Sequence, residues 1–266
     1  MTTTNCEKIT LAKGEMTIYH CGQVQLQAYK TNDFIDNEVF LLVKEGEAVI
    51  IESPCFFDNN RELAEYMAKA GLKPTAMLIA YHAAGGSFLP DIPKYATQNA
   101  VDYGYRGGGK ALIDNFTAAF GAIFDSSLHK IDHIIEAGQA NIGGWDFIIH
   151  PTPEAYDLEI PAINAVYTHM LGHDCHSIVA GPEQADALIA QLETYLTKGY
   201  NLILTSHYTP ENLKDVSTKI AYLKDLKAIA ANCANGAEFK KLVQAKYSNY
   251  SGENYLDMTV NFFFQQ

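Results

Sequence analysis

The stretch TAMLIAYHAAGG, residues 75–86, joins an apolar run to a histidine and a pair of glycines. TAMLI is short and continuously apolar, which predicts a buried strand. A buried strand that leads into a histidine and two glycines is a common way to deliver a ligand to a site. His82 is therefore the first candidate metal ligand, and a complete metal site needs donors from elsewhere in the chain.

The residues before this stretch predict a strand, a hairpin and a helix. MTIYHCGQVQLQAYK, residues 16–30, alternates loosely and is typical of a strand. NEVFLLVKEGEAVIIESP, residues 37–54, holds two apolar runs around the turn KEGE and predicts a hairpin. NRELAEYMAKAGL, residues 60–72, has apolar residues at helical spacing, and Gly71 ends the helix.

The remaining segments alternate between helix and strand in the same way. Helices are predicted over 111–124, 183–199 and 211–233, strands over 162–170 and 200–210, and a short edge element over 254–266. Two β-rich stretches that are each followed by helices predict an α/β fold with two sheets inside and helices outside, in one domain spanning 1–266.

Composition excludes several classes of function. The 266 residues carry a net charge of −12 and no basic run, which disfavours nucleic acid and acidic membranes as partners. No apolar run approaches the ~20 residues of a membrane span, and the N-terminus lacks the apolar core of a signal peptide. Five scattered cysteines without CxxC disfavour a disulfide framework. We therefore expect a cytoplasmic protein that binds a small-molecule substrate or ligand.

Several histidines stand at predicted strand ends, and this placement suggests one site. His82, His173 and His207 follow strands from distant parts of the chain, and Asp174 is the nearest oxygen donor. Neutral imidazoles with a carboxylate suit one divalent Zn, Fe or Mn. Asp174 and His176 are the candidate catalytic groups. The alternative is that each histidine caps a strand or fills the core.

Three further motifs are weaker. GYRGGGKA, residues 104–111, nearly fits a phosphate loop, but Ala111 replaces the hydroxyl that would bind Mg²⁺, so no nucleotide is expected and a loop is favoured. PEAYDLEIP, residues 153–161, places three carboxylates in what is predicted to be a solvated loop, with metal ligation as the alternative. Cys175 beside His176 is a candidate nucleophile, because a neighbouring imidazole can lower the pKa of a thiol.

The order of these pieces resembles the metallo-β-lactamase-fold superfamily over nearly the whole chain. The hairpin 37–54 is similar to that family's opening hairpin and ends in Glu52-Ser53-Pro54 where the family has Asp-x-Gly. PTAMLIAYHAAGG, residues 74–86, is similar to the lead into H-x-H-x-D-H-x-G-G. The resemblance implies a four-layer αββα sandwich and hydrolysis at a pair of zinc ions.

The family's metal motifs are only partly present. With Gly85-Gly86 aligned, the Asp position falls on His82, and a gapped alignment instead places Tyr81-His82 on the first Thr-His. In FIIHPTPEAYDLEIP the third-motif histidine falls near Ala155. YTHMLGHDCHS, residues 167–177, resembles the strand that ends in Gly-Asp, so either His173 or Asp174 takes the bridging position.

A second alignment matches Gly172-His173-Asp174 to the family's Gly-His-Thr motif, and the first is preferred because its gaps are shorter. His207, in LILTSH, carries over cleanly. The resemblance thus implies one rearranged metal site from His82, His173 or Asp174, and His207, with residues 157, 159 or 176 able to complete it.

Three hypotheses for function remain open at this stage. The first is a divergent hydrolase with one metal, acting on a small ester, lactone, amide or phosphoester. The second is a catalytically inactive relative that binds a small ligand or a protein partner, since most of the usual donors are missing. The third is an enzyme that depends on Cys175. The tail NFFFQQ is a candidate homodimer contact or a packed edge strand.

Overall fold

A computed structural model describes residues 6–264 and contains two sheets with seven α-helices over those residues. The first sheet has eight strands in sequence order. They are β1 Cys6–Thr10, β2 Glu15–Cys21, β3 Val24–Lys30, β4 Glu38–Lys44, β5 Glu47–Ile51, β6 Lys73–Leu78, β7 Lys94–Ala96 and β8 His133–Ile134. Strands β1 to β5 pair antiparallel, and β5 to β8 pair parallel.

The second sheet has six strands in the order β14-β13-β12-β11-β10-β9. They are β9 Gly138–Ile142, β10 Trp145–Pro151, β11 Tyr156–Ile160, β12 Ala165–Thr168, β13 Leu202–Thr205 and β14 Tyr208–Glu211. The helices are α1 Phe57–Lys69, α2 Gln98–Arg106, α3 Gly108–Phe120, α4 Pro182–Lys198, α5 Leu213–Ala230, α6 Gly236–Lys246 and α7 Glu253–Phe264. Within 6–264 no helix is both long and apolar enough to cross a membrane.

The backbone groups into two compact units. Of the described residues, one unit contains 6–170 together with Leu204–Pro210, and the other contains Leu171–Ile203 together with 211–264. The first unit holds helices α1 to α3, and the second holds α4 to α7. The single domain expected over 1–266 stays a prediction.

The predicted hairpin is confirmed as β4 and β5. Its turn places Glu45 and Gly46 at φ of 52° and 80°, the conformation of a two-residue turn whose twist matches that of the strands. The central residues of both strands are fully buried, so the hairpin lies within the core of the first sheet. Strand β5 ends at Ile51, and Glu52 follows it directly.

Several sequence-based boundaries are corrected. Residues 16–30 form two strands, β2 and β3, because Gly22 at φ 70° turns the chain. Most of 153–161 is not a solvated loop: Tyr156–Ile160 forms β11, which is buried along its whole length, while Pro153 and Glu154 before it are exposed. The GYRGGGKA segment is the junction of α2 and α3 rather than a loop. The tail is helix α7 and not an edge strand, and Gln265 and Gln266 lie outside the described residues.

Candidate metal site

The opening stretch forms strand β6 and then an irregular loop that carries His82. The two glycines allow this loop to lie against its neighbours. Gly85 has φ of 89°, and a Cβ there would lie 2.2 Å from the Pro54 carbonyl oxygen. A Cβ on Gly86 would lie 2.5 Å from the Leu128 carbonyl oxygen. Both positions therefore require glycine, and the backbone brings the loop against the end of the hairpin.

Three histidine side chains meet beside this loop. His82, His169 and His207 each offer a ring nitrogen, and these atoms all lie within 4.8 Å of one another. His169 directly follows β12, and His207 lies between β13 and β14. All three belong to the first compact unit. We call this group the three-histidine cluster.

Burial keeps these imidazoles neutral. Desolvation lowers the pKa of His82 well below its ordinary value, and the neighbouring His207 and His169 lower it further. Desolvation also lowers the pKa of His169, to about 3. Burial also lowers the pKa of His207, although its backbone hydrogen bond opposes the shift. Neutral imidazole is the form that binds a metal ion.

The hydrogen bonds of His207 set its tautomer. Its Nδ1–H donates to the Ile35 carbonyl oxygen at 2.9 Å, because a carbonyl can only accept. Its Nε2 therefore carries the lone pair and faces His82 Nε2 at 3.1 Å. Metal-binding histidines commonly hold their second nitrogen in this way, with a backbone carbonyl as the acceptor.

His82 leaves one nitrogen without a hydrogen bond. When its Nε2–H donates to His207, its Nδ1 is a bare acceptor, and this atom is buried with no hydrogen-bond partner. The nearest carboxylate oxygen, Oε2 of Glu52, lies 3.9 Å away. A cation among the Nε2 atoms would place the proton on Nδ1, facing Glu52. This is the carboxylate–histidine–metal arrangement of many protein metal sites.

The spacing and the donor set both fit a single zinc ion. Two imidazole nitrogens on one tetrahedral zinc lie about 3.3 Å apart, given Zn–N distances of about 2.0–2.1 Å. The distance between the Nε2 atoms of His82 and His207 is 3.1 Å. Three histidines with an open fourth position are a known ligand set of catalytic zinc. The residues present therefore fit a zinc ion.

Glu52 ties the hairpin to the loop that carries His82. It is fully buried and accepts hydrogen bonds from the backbone N–H of Tyr81 at 2.8 Å and of His82 at 3.2 Å. The Tyr167 hydroxyl donates to it at 2.6 Å. Burial raises the pKa of Glu52 to about 7, against the opposing effect of these donors.

Tyr81 covers one ligand directly. Its ring stacks on His169 with centroids 4.2 Å apart and planes 8° apart. Its hydroxyl lies 3.1 Å from Oγ1 of Thr152. The phenol therefore fixes the plane of the His169 imidazole from one side, while its own polar end is held by a residue that follows β10.

His173, Asp174 and His176 lie in the second unit, whereas Asp157 and Glu159 lie in the first unit, in β11. His173 donates through Nδ1 to Oε1 of Glu211 at 2.9 Å, with Oδ1 of Asp215 at 3.6 Å. Glu211 also accepts from the backbone N–H of Gly172 and His173. Both oxygens of Glu211 thus hold the loop that begins at Gly172. Asp215 lies in the first turn of α5, where the helix dipole favours anions and disfavours cations.

His176 and Asp174 do not join the three-histidine cluster. His176 is buried, and its Nδ1 lies 3.0 Å from the Tyr222 hydroxyl. Asp174 is exposed, and its carbonyl oxygen accepts from the Ser251 backbone N–H. The Cys175 thiol donates to the His176 carbonyl oxygen. The metal and catalytic roles assigned to these residues stay predictions.

A buried serine–histidine pair lies near Glu52 but is not set up for nucleophilic catalysis. Ser53 Oγ lies 2.7 Å from Nε2 of His129 and donates to the Ala84 carbonyl oxygen at 3.2 Å. Since that hydroxyl proton is used, the His129 Nε2–H donates to Ser53 and cannot act as its base. Both side chains are buried. The pair fastens the loop that carries His82.

Solved structures with the same architecture identify the fold. A stereoselective inverting sec-alkylsulfatase from Pseudomonas sp. is 13% identical, with a TM-score of 0.63 over 93% of this chain. The chain spans 49% of that protein. A metallo-β-lactamase family protein from Thermus thermophilus is 10% identical, with a TM-score of 0.57 over 88% of this chain and 91% of its own.

The chain has the metallo-β-lactamase fold. A metallo-β-lactamase from Erythrobacter litoralis is also similar, at 11% identity and a TM-score of 0.55, over 82% of this chain and all of its own. No family model matches the sequence, and no curated protein does. The αββα class predicted from the sequence is confirmed, as is the resemblance to this fold.

Sequence reasoning missed two members of the site. His169 directly follows strand β12. It therefore stands at a strand end, as the predicted ligands His82 and His207 do. In the sequence, Glu52 stands out only because it replaces the Asp of the family's Asp-x-Gly. Its position directly after a buried strand was a signal for a buried acceptor that holds the next loop.

Proposed function

We propose that this metallo-β-lactamase-fold protein is a hydrolase that binds one zinc ion through His82, His169 and His207. The single observation that carries the proposal is the convergence of three neutral imidazoles within 4.8 Å, one of which has its tautomer fixed by a carbonyl. The reaction class is cleavage of a small ester, lactone, amide or phosphoester. Water adds across the cleaved bond, and no electron is transferred.

The zinc ion would supply Lewis acidity, which polarises a carbonyl or phosphoryl oxygen and lowers the pKa of water. The chain's own residues prepare the ligands. Ile35 holds the proton of His207 on Nδ1, so that Nε2 faces the centre. Glu52 holds the backbone at His82 and stands beside its Nδ1. Tyr81 keeps the His169 ring in its plane.

The donor set favours zinc over manganese. Manganese prefers oxygen ligands, whereas imidazole suits zinc, copper, iron and nickel. Among the described residues, no carboxylate belongs to the three-histidine cluster. The three ligands are uncharged, so the bound ion would keep its full positive charge, which strengthens its effect on a substrate oxygen.

The test is zinc-dependent hydrolysis of 4-nitrophenyl acetate and a simple lactone by the purified protein. We expect a rate that chelation removes and that added zinc restores. His169→Ala should lower kcat/KM by at least about 100-fold, since losing even a hydrogen-bond partner of a metal ligand typically costs about 10- to 100-fold. His20→Ala, at an exposed histidine of β2, should leave the rate unchanged. No rate with zinc loaded would point to an inactive relative instead, and a rate that chelation and added zinc do not change would point to an enzyme that works without the metal, such as one that depends on Cys175.

A further inference from the structure

A buried hydrogen-bonded connection runs from Ser206 through Tyr167 to Glu52. The Tyr167 hydroxyl donates to Oε1 of Glu52 at 2.6 Å and lies 2.6 Å from Oγ of Ser206. Because the single phenolic proton goes to the carboxylate, the Ser206 hydroxyl is the donor in the second contact. All three residues are fully buried. We call Ser206, Tyr167 and Glu52 the Tyr167 bridge.

The two ends of the Tyr167 bridge are attached to the segments that carry the candidate metal ligands. At one end, Glu52 accepts the backbone N–H of His82. At the other end, Ser206 directly precedes His207. The backbone N–H of Ser206 also donates to the carbonyl oxygen of His169 at 3.0 Å. The bridge therefore connects the backbones of all three ligand segments, which are far apart in the sequence.

The hydroxyl of Tyr167 needs an explanation, because its ring is a core residue of β12. The ring meets Phe40 edge to face with centroids 6.2 Å apart, and a phenylalanine at 167 would keep that contact. A buried polar network with all its members satisfied makes its surroundings rigid and specifies one arrangement. Ligands of a metal ion need such rigidity, since they must stay within about 0.5 Å of their working positions.

We propose that Tyr167 and Ser206 are positioning residues, whose hydroxyl groups fix the spacing of the three-histidine cluster before a metal ion binds. This inference rests on the proposed function and adds two residues that act on the ligands through Glu52 and through the backbone. Without the Tyr167 hydroxyl, Glu52 loses a donor and the Ser206 hydroxyl loses its acceptor. The two ends of the bridge can then move independently.

The first measurement is zinc affinity by competition with a chelator. Tyr167→Phe should lower the affinity about 10-fold, the smaller of the effects seen when an outer partner of a metal ligand is removed. Tyr29→Phe is the matched control. Tyr29 is also fully buried, and its hydroxyl donates to Glu62 at 2.7 Å and accepts from Asn59 at 3.0 Å. These bonds join β3 to α1, so Tyr29→Phe should keep the affinity within about twofold.

The second measurement tests whether the two hydroxyl groups act together. Ser206→Ala keeps the bond from Tyr167 to Glu52 and should lower zinc affinity about three- to fivefold, the effect of one hydrogen bond. The double variant should match Tyr167→Phe alone, because the Ser206 hydroxyl has already lost its acceptor there. Residues in one hydrogen-bond network are non-additive in this way. Effects that multiply in the double variant would overturn the inference.

The third measurement needs neither zinc nor hydrolysis. Ring nitrogen chemical shifts of the metal-free protein report where the imidazoles stand. We expect Tyr167→Phe to shift the signals of His82 and His207, at the two ends of the bridge, and Tyr29→Phe to leave them in place. Both variants replace a phenol ring by a phenyl ring, so a difference between them reports movement of the imidazoles.

The shifts separate this inference from the proposed function. Shifted ring signals in a protein that binds no zinc would support the positioning role while the hydrolase proposal fails. Zinc affinity and ring signals that Tyr167→Phe changes no more than Tyr29→Phe does would overturn the positioning role and leave the hydrolase proposal intact.

Discussion

The Glu52 carboxylate binds the backbone of the loop that carries His82 and thereby sets the position of the His82 imidazole. Glu52 accepts the backbone N–H of His82 at 3.2 Å, and its Oε2 lies 3.9 Å from the His82 Nδ1. Glu52 itself has φ of 65°, a conformation that non-glycine residues rarely adopt. The end of the hairpin thus fixes where a candidate ligand stands, and strain at one residue accompanies that placement.

Replacing Glu52 by Gln should weaken both the fold and zinc binding. The amide keeps the shape but offers one accepting oxygen where the carboxylate uses two, so a buried N–H loses its partner. We expect a loss of about 1–3 kcal/mol in the free energy of unfolding. Zinc affinity should fall about 10- to 100-fold, the usual effect of removing such a partner. Urea unfolding and chelator competition measure the two effects.

The control for this variant is Glu136→Gln at an exposed position. It should change the free energy of unfolding by less than about 0.5 kcal/mol. Equal zinc affinity in the wild-type protein and Glu52→Gln would show that Glu52 acts on stability alone.

Two substitutions of Tyr81 should distinguish the contribution of its ring to zinc binding from that of its hydroxyl. Tyr81→Phe keeps the stack on His169 and should retain zinc affinity within about twofold. Tyr81→Leu removes an aromatic pair worth about 0.5–1.5 kcal/mol, so affinity should fall about two- to tenfold. Competition with a zinc chelator gives both values. If Phe weakens binding as much as Leu, the hydroxyl contact with Thr152 matters and the stack does not.

Alanine at Gly85 should be much more destabilising than alanine at Gly22. Both glycines have positive φ, at 89° and 70°, so both substitutions cost about 1–2 kcal/mol for the backbone conformation. Only at Gly85 does the new Cβ meet backbone, 2.2 Å from the Pro54 carbonyl oxygen, whereas nothing lies within 4 Å at Gly22. We expect Gly85→Ala to cost at least about 3 kcal/mol. Equal losses in urea unfolding would mean that the loop moves freely.

The buried His129 imidazole should make the free energy of unfolding depend on pH. Burial lowers its folded pKa to about 3, below the ordinary value of 6.5, so the unfolded chain binds the proton first as pH falls. Stability from this group is complete above pH 6.5 and is lost on acidification towards pH 3, at up to about 1.4 kcal/mol per pH unit. His129→Gln should reduce the pH dependence of the unfolding free energy between pH 6 and 4 by up to that amount and leave the part that comes from His82 and His169.

Glu38 acts in the opposite direction. Burial raises its folded pKa to about 8, so its contribution falls as pH rises from 4.5 to 8. The comparison of His129→Gln with the wild-type protein at each pH cancels this effect. His20→Gln, at an exposed histidine, is the control and should keep the wild-type slope. An unchanged slope in His129→Gln would show that this imidazole is protonated in the folded protein.

The sequence predicted the parts of the fold that local pattern decides. The hairpin of β4 and β5 has apolar runs around a turn of defined geometry, and α4 ends at Gly199 in the left-handed conformation as expected. The prediction of an edge strand for the tail is wrong. NFFF resembles a strand, but the buried residues Leu256 and Thr259 lie three apart on one face of a helix. Tertiary packing decided that segment.

The candidate site is harder to predict from the sequence, because it depends on which side chains at the strand ends point inward. The sequence predicts His82 and His207 as ligands, and these two lie side by side, but it predicts His173 and Asp174 where the structure has His169. Alignment to a Gly-Asp motif drew attention to Gly172, four residues after the end of β12. The charged residues of β11 predict a solvated loop, but this prediction is wrong. Asp157 and Glu159 are buried, and Oε1 of Glu159 lies 2.6 Å from Nε2 of His150.

Zinc stoichiometry and coordination test the central claim most directly. We predict that the purified protein binds one equivalent of zinc and that X-ray absorption at the zinc edge reports three histidine nitrogens. The variant with alanine at His82, His169 and His207 should bind none, while His20→Ala should match the wild-type protein. Zinc that remains bound to the triple variant, or a wild-type protein that binds no zinc at micromolar concentration, would contradict the account.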